Sequence, residues 1–332
     1  MAKKFNIENP SSKRKDGFEN ERNSGEGIKK VESENFIERT KEIEIEGKPV
    51  SLEIFYTAHV TSEDFAGLRE KAEEADIVVI EDLGWEKSVL KKFQEVSDGK
   101  KKPQDFFHYF GFTPGNYRPF DALLGILDAI YNTKKQIVIV DVPSGHKLEK
   151  EYDNIPDLVK ELDGKTKEEK IEGFRNYLVE NANFQIKREN LIINNLKKLI
   201  ENEIKNSDKE EKILMILGSF HSRVYIEMKK SYDDVARDYP VSPYIFDFVQ
   251  ESKRRAIFEK DISDSLIARA IVQWYFEAFI MTTEKRKQIP IDPGRLHHIM
   301  IESLSDDVID EIISIPAIKK GVEKLHNILS DK

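Results

Sequence analysis

Two periodicities divide the chain. From residue 41 apolar and polar positions alternate: Glu42-Ile43-Glu44-Ile45, a turn at Glu46-Gly47-Lys48-Pro49, then Val50-Ser51-Leu52-Glu53-Ile54-Phe55-Tyr56. This pattern predicts an N-terminal hairpin whose second strand ends at Thr57-Ala58-His59. Three continuous apolar runs follow: Asp76-Ile77-Val78-Val79-Ile80-Glu81, Gln136-Ile137-Val138-Ile139-Val140-Asp141 and Lys212-Ile213-Leu214-Met215-Ile216-Leu217-Gly218. Short runs without alternation are strands covered on both faces, as in parallel sheets. Between them the spacing becomes helical. A capping-type start at Thr61-Ser62-Glu63-Asp64 leads into Phe65, Leu68 and Ala72, and further helical patterns occupy about 117–132 and 166–205. Alternating strands and helices predict an α/β fold, with a mostly parallel central sheet, flanking helices and right-handed crossovers.

Beyond Pro240 an edge strand is expected at Tyr244 to Val249, followed by a helical C-terminal extension. There, Ile262 to Met281 is apolar except for Arg269, Gln273 and Glu277, which recur every fourth residue. The row predicts one wet stripe on a packed helix, and Pro290, Pro293 and Pro316 cut the remainder into short helices. Residues 1–40 carry neither period and are expected to be a disordered polar tail. The expected organisation is therefore a tail (1–40), an α/β domain (41–250) and a helical extension packed on it (251–332).

Composition removes several chemistries. The chain has no cysteine, so disulfides, thiolate-bound zinc, iron–sulfur clusters and a thiol nucleophile are out, and any metal must sit on His and carboxylates. No apolar stretch approaches the roughly 18 residues of a membrane helix, and the opening residues lack the apolar core of a secretory signal, so a cytoplasmic protein without a membrane partner is expected. Fifty-three Lys and Arg against 62 Asp and Glu give a net charge of −9. That balance argues against nucleic acid as a partner. There is no glycine-rich phosphate loop, hence no expected nucleotide cofactor, and neither HExxH nor GxSxG occurs.

Ligands of open parallel sheets bind beyond the carboxyl ends of the strands. Four predicted strands here end in His59, Glu81, Asp141 and His221. If the strands are neighbours, two imidazoles and one or two carboxylates meet on one rim, a set suited to hydrolysis. They could act as ligands for a divalent metal with an open position, or as a water-activating base beside an electrophilic partner. VSLEIFYTAHVTSEDFAGL and KILMILGSFHSRVYIEM echo one another as strand, short step, His and helix. Gly218 and Ser219 would let a backbone N–H approach the reacting atom. Asp141 and, from the loop beyond it, His146 could reach a substrate. Arg188 starts a long amphipathic helix through Leu191, Ile192, Asn195, Leu196 and Leu199, where its guanidinium could clamp a carboxylate or stabilise an oxyanion. The aromatic cluster Phe106-Phe107-His108-Tyr109-Phe110-Gly111-Phe112 reads as a core plug or as the apolar wall of a substrate pocket. A small molecule or peptide is the expected substrate, and a homo-oligomer is compatible with the composition.

The ordered set Tyr56-Thr57-Ala58-His59, Glu81 at the end of Val78-Val79-Ile80, Arg188-Glu189-Asn190 and Gly218-Ser219-Phe220-His221 resembles the TraB/Tiki superfamily, which includes the erythromycin esterases and ChaN-like proteins. Its pattern is GxxH at a strand end, a strand-end Glu, an Arg-led helix and a second GxxH, spanning about 50–235 here. Tyr56 stands where the first Gly belongs, and Asp82 where TraB-like members tend to have Leu. The resemblance implies a hydrolase acting on an ester or amide bond. Tiki proteins are regarded as metal-dependent peptidases, whereas erythromycin esterases are thought to use His as a base. By position, His59, Glu81 and His221 would bind a metal such as Mn²⁺, Co²⁺ or Zn²⁺ or activate water, and Arg188 would orient Glu81 or the substrate. The alternative is a catalytically inert ligand- or metal-binding regulator of the same fold, for which a bulky Tyr56 beside His59 is the argument.

Overall fold

The computed structural model describes residues 50–57, 65–113, 120–206, 211–239, 248–280 and 299–330. The chain divides into Met1–Gly47, which lies outside the described residues together with the expected tail and the first arm of the hairpin, and Lys48–Lys332, to which everything below belongs.

Five parallel strands, β1 (Val50–Thr57), β2 (Ile77–Ile80), β3 (Gln136–Ile139), β4 (Glu211–Gly218) and β5 (Val235–Asp238), form one sheet in the order β3-β2-β4-β1-β5. The three apolar runs become β2, β3 and β4, as burial on both faces requires. β1 has β4 on one side and, over Leu52–Phe55, β5 on the other, which leaves those four residues no edge for an antiparallel hairpin partner. The edge beyond β1 is β5; of the strand expected at Tyr244 to Val249, residues 244–247 lie outside the described residues, while Phe248 and Val249 belong to a helix, α9 (Phe248–Ile257).

Alternate side chains feed two separate layers. Phe55, Val78, Ile80, Leu214 and Ile216 pack against α1 (Leu68–Glu74), α2 (Lys87–Ser97), α3 (Pro103–Phe110) and α4 (Phe120–Ile130). Ile54, Tyr56, Val79, Met215 and Leu217 pack against α7 (Lys167–Asn206) and α8 (Ser222–Ser231). Two short helices, α5 (Lys147–Tyr152) and α6 (Leu158–Leu162), lead into α7.

At 40 residues, α7 is about 60 Å long. A capping box starts it: Glu169 N–H donates to Thr166 Oγ1 at 3.2 Å and Thr166 N–H to the Glu169 carboxylate at 2.8 Å. Its two halves serve two cores. Ile192, Ile193, Leu196 and Ile200 lie on the sheet, while Ile171, Phe174 and Leu178 join α10 (Asp264–Tyr275), α11 (Asp306–Ser314) and α12 (Ile318–Ser330) in a helical core. The middle of α7 thus passes the carboxyl ends of the strands. Arg188 therefore sits inside this helix and not at its start, as the pattern from Leu191 onward had implied.

Two residues of the polar row, Arg269 and Gln273, lie on α10 and turn to the ends of neighbouring helices. Gln273 is fully buried, and its Oε1 accepts from the Phe248 and Val249 N–H groups at 2.8 and 3.4 Å, capping α9. Arg269 donates to the carbonyls of Ile301 and Leu304 and to Asp306. Helix ends leave backbone groups unsatisfied, and these side chains supply the partners. No helix among the described residues is long and apolar enough to cross a membrane.

Candidate functional site

The strand order decides what meets at the rim. β2 is flanked by β3 and β4, so Glu81, just past β2, has Asp141 on one side and His221, the residue before α8, on the other. Arg188 reaches this point from α7. Its Nε donates to Asp141 Oδ1 at 2.9 Å, and its Nη2 donates to Asp141 Oδ2 and, at 2.7 Å, to Glu81 Oε1. Glu81 Oε1 also lies 2.8 Å from His221 Nε2, and Oε2 accepts the Gly218 N–H at 2.7 Å. Four of the expected residues, Glu81, Asp141, Arg188 and His221, are thus one hydrogen-bonded cluster.

The surroundings of Asp141, of Gly218 and Ser219, of His146 and of His221 differ from the expectation. Asp141, expected to reach a substrate, has a fully buried side chain, and besides Arg188 it accepts the Val142 N–H at 2.7 Å, so it positions the guanidinium. Gly218 and Ser219 do not offer their N–H groups to a reacting atom. Gly218 donates to Glu81 and Ser219 to the Thr57 carbonyl at 3.0 Å. His146 caps α5, its Nδ1 accepting the Leu148 N–H at 3.2 Å. His221 is 2% exposed, and its Nδ1 lies 2.8 Å from the Gln185 amide and 3.5 Å from Glu189 Oε1, so both ring nitrogens face protein. His59 lies outside the described residues.

Burial works against a charged His221, but the Glu81 carboxylate, helped by Glu189, outweighs it and lifts the imidazole from 6.5 to about 9. Arg188 is likewise penalised by burial and held firmly protonated by Glu81 and Asp141.

The cluster opens on a cavity of about 350 Å³. Glu81, Asp82 and Arg188 are its polar floor; Trp85, Phe93, Phe106, Phe110, Phe112 and Leu123 are among its walls. The aromatic segment therefore serves both ways: Phe107 plugs the core, while Phe106 does so and also faces the cavity. Gly84, at φ +79°, makes the turn that puts Asp82 and Trp85 on the same cavity. Its N–H bonds the Val142 carbonyl at 2.8 Å, and Trp85 Nε1 donates to the Asp141 carbonyl at 2.9 Å, fastening this turn to the end of β3. Asp82 has no hydrogen bond or ion pair with any described residue. Burial, then the charges of Asp141 and Glu81, push its carboxyl up to about 7 against the pull of Arg188. Tyr56 packs in the opposite layer, its hydroxyl donating to the His221 carbonyl at 3.3 Å, and is not a cavity residue.

Asp82, Gln185 and Glu189 are the residues that sequence reasoning missed as contributors. Gln185, Arg188, Glu189 and Ile192 fall at i, i+3, i+4 and i+7 of one helix, and that spacing was the available signal. Of the three residues expected to hold a divalent metal, His59 lies outside the described residues, and among the described residues no three His, Asp or Glu side chains converge as ligands. Glu81 and His221 turn towards each other, and the Arg188 guanidinium occupies the side of Glu81 where a cation would meet like charge. Compared with protein-family models, curated proteins and solved structures, the chain matches none.

Proposed function

We propose that the chain is a hydrolase of the TraB/Tiki type that opens an ester or amide bond of a small molecule or peptide with water. The observation that carries this reading is the Glu81–Arg188–Asp141–His221 cluster at the carboxyl ends of β2, β3 and β4, opening on an apolar cavity. Perturbed ionisable groups gathered at a cavity floor are the physical mark of a reactive site.

The parts divide as follows. Arg188 uses Nε and Nη2 on Asp141 and Glu81, and Nη1 has no partner among the described residues. Nη1 is the donor for a carbonyl oxygen as it gains negative charge. Asp82 is the cavity carboxylate whose oxygens are uncommitted, and it takes the proton from water. The water oxygen bonds to the carbonyl carbon, the C–O or C–N bond breaks, and the proton passes to the leaving oxygen or nitrogen. His221 and Glu189 act through others, holding Glu81 and the guanidinium in register.

A panel of ester and amide substrates with apolar bodies tests this, with and without chelator or Mn²⁺. Asp82→Asn should abolish turnover, Arg188→Lys should lower kcat more than it changes KM, and His59→Ala and His221→Ala should lose activity while the fold persists. Unaltered hydrolysis in Asp82→Asn and Arg188→Lys would overturn the assignment. A second reading, an inert ligand-binding protein of the same fold, is favoured by the burial of the His221 ring; ligand binding without turnover of any substrate would establish it.

A further inference from the structure

The charges at the cavity floor do not cancel. Glu81 and Asp141 are matched by Arg188 and His221, which contact them directly. Glu189, on the far side of the His221 ring, is matched by Arg223. Asp82 is the remainder. It lines the cavity without a hydrogen bond or ion pair to any described residue, and the described lining residues include no Lys and no Arg besides Arg188. Without Asp82 the other charges would balance once the imidazole is cationic; with it, the floor keeps one negative charge in excess.

The walls suit a positive charge. Phe93, Phe106, Phe110 and Phe112 form a ribbon of successive ring contacts, with centroids 4.8, 4.9 and 5.5 Å apart, and Trp85 is fixed beside the same cavity by its Nε1 bond to the Asp141 carbonyl. The faces of aromatic rings are electronegative, so a desolvated cation is held better by them than by aliphatic carbon. A bare metal ion would need several oxygen or nitrogen donors in a set geometry. A fully alkylated ammonium needs none: it spreads its charge over its methyl groups, packs as an apolar body and makes contacts without a hydrogen-bond direction. Rings and a carboxylate on one cavity are enough for it.

We propose that the cavity binds an organic cation, a quaternary ammonium on a short apolar body, with its charge held between the aromatic walls and the Asp82 carboxylate. One monocation brings the floor to balance, a neutral ligand leaves the excess in place, and an anion enlarges it. Recognition of the cation stands by itself. It rests on the hydrolase reading only for its consequence, that the bond opened belongs to a positively charged substrate. A quaternary ammonium donates no hydrogen bond, so Asp82 keeps its oxygens for water.

Calorimetry on the full chain at pH 8 tests the claim without requiring turnover. The probes are choline, its neutral carbon isostere 3,3-dimethylbutan-1-ol and the anion 3,3-dimethylbutanoate. Choline should bind at least about tenfold more tightly than the alcohol, and the anion should bind most weakly. Asp82→Asn should lower the affinity for choline about tenfold and leave that for the alcohol unchanged. Phe110→Leu, which keeps apolar bulk and removes the ring, should weaken choline more than the alcohol. Equal binding of choline and the alcohol, a preference undiminished in Asp82→Asn or in Phe110→Leu, tightest binding of the anion, or no binding of choline at 10 mM would each overturn the proposal. If the preference holds and no ester or amide is opened, the hydrolase reading fails and the recognition claim stands. If neutral esters are opened and choline is not preferred, the recognition claim fails and the hydrolase reading stands.

Discussion

Replacing Asp82 with Asn should stabilise the fold, and the gain should grow with pH. In the folded chain the carboxyl is raised from 3.8 to about 7, first by burial and then by Asp141 and Glu81. In the unfolded chain it returns to its ordinary value. Between those two values the folded state binds more proton than the unfolded state, so stability falls as pH rises through that window and levels off above about 8. Each unit of difference is worth about 1.4 kcal/mol, which sets a ceiling of about 4 kcal/mol, and partial solvent access brings the expected loss nearer about 2 kcal/mol. Asn is uncharged at every pH and avoids it. Urea denaturation of both proteins at pH 4, 5, 6, 7 and 8 should show the Asn variant gaining about 2 kcal/mol on the wild type between pH 4 and pH 8, at unchanged m-value. Effects common to both proteins cancel in the comparison. A difference that stays constant from pH 4 to pH 8, or a variant that loses ground as pH rises, would refute the argument that the folded environment resists ionisation of Asp82. The trade is the one expected of an active site, where a group kept for chemistry lowers stability.

Arg188→Met should cost about 3–5 kcal/mol, because it strands the fully buried Asp141 side chain without a counter-charge and leaves Glu81 with His221 alone. Arg188→Lys should fall between, restoring charge without the fork, and a loss under about 1 kcal/mol in the Met variant would show the pairing to be dispensable. In the helical core the Tyr275 hydroxyl is buried without a hydrogen-bond partner among the described residues. Tyr275→Phe should therefore be neutral or stabilising by up to about 1 kcal/mol in thermal unfolding, and a clear drop in Tm would contradict that reading.

Burial leaves a local record in sequence, and what depends on it was legible. β2, β3 and β4 appear as unbroken apolar runs because both faces of each strand are covered, and α7 appears as a long 3.6-residue pattern because it lines two cores. Glu81 and His221 stand out as the polar groups that end such runs. The edge strand β5 went unread because Val235-Ala236-Arg237-Asp238 buries only Val235 and carries little apolar signal. The polar row on α10 looked wet because periodicity marks a face as polar without saying whether water or the open end of another helix meets it. The fold alone decided which strands are neighbours. By inserting β4 between β2 and β1 it set His221 against Glu81 across 140 residues of chain, and by passing the middle of α7 over the strand ends it turned Asp141 from a presumed substrate ligand into the anchor of Arg188. It also left Asp82 on an aromatic cavity without a hydrogen-bond partner among the described residues. Strand order and helix crossing are settled by long-range packing, which a local pattern of polar and apolar residues does not encode.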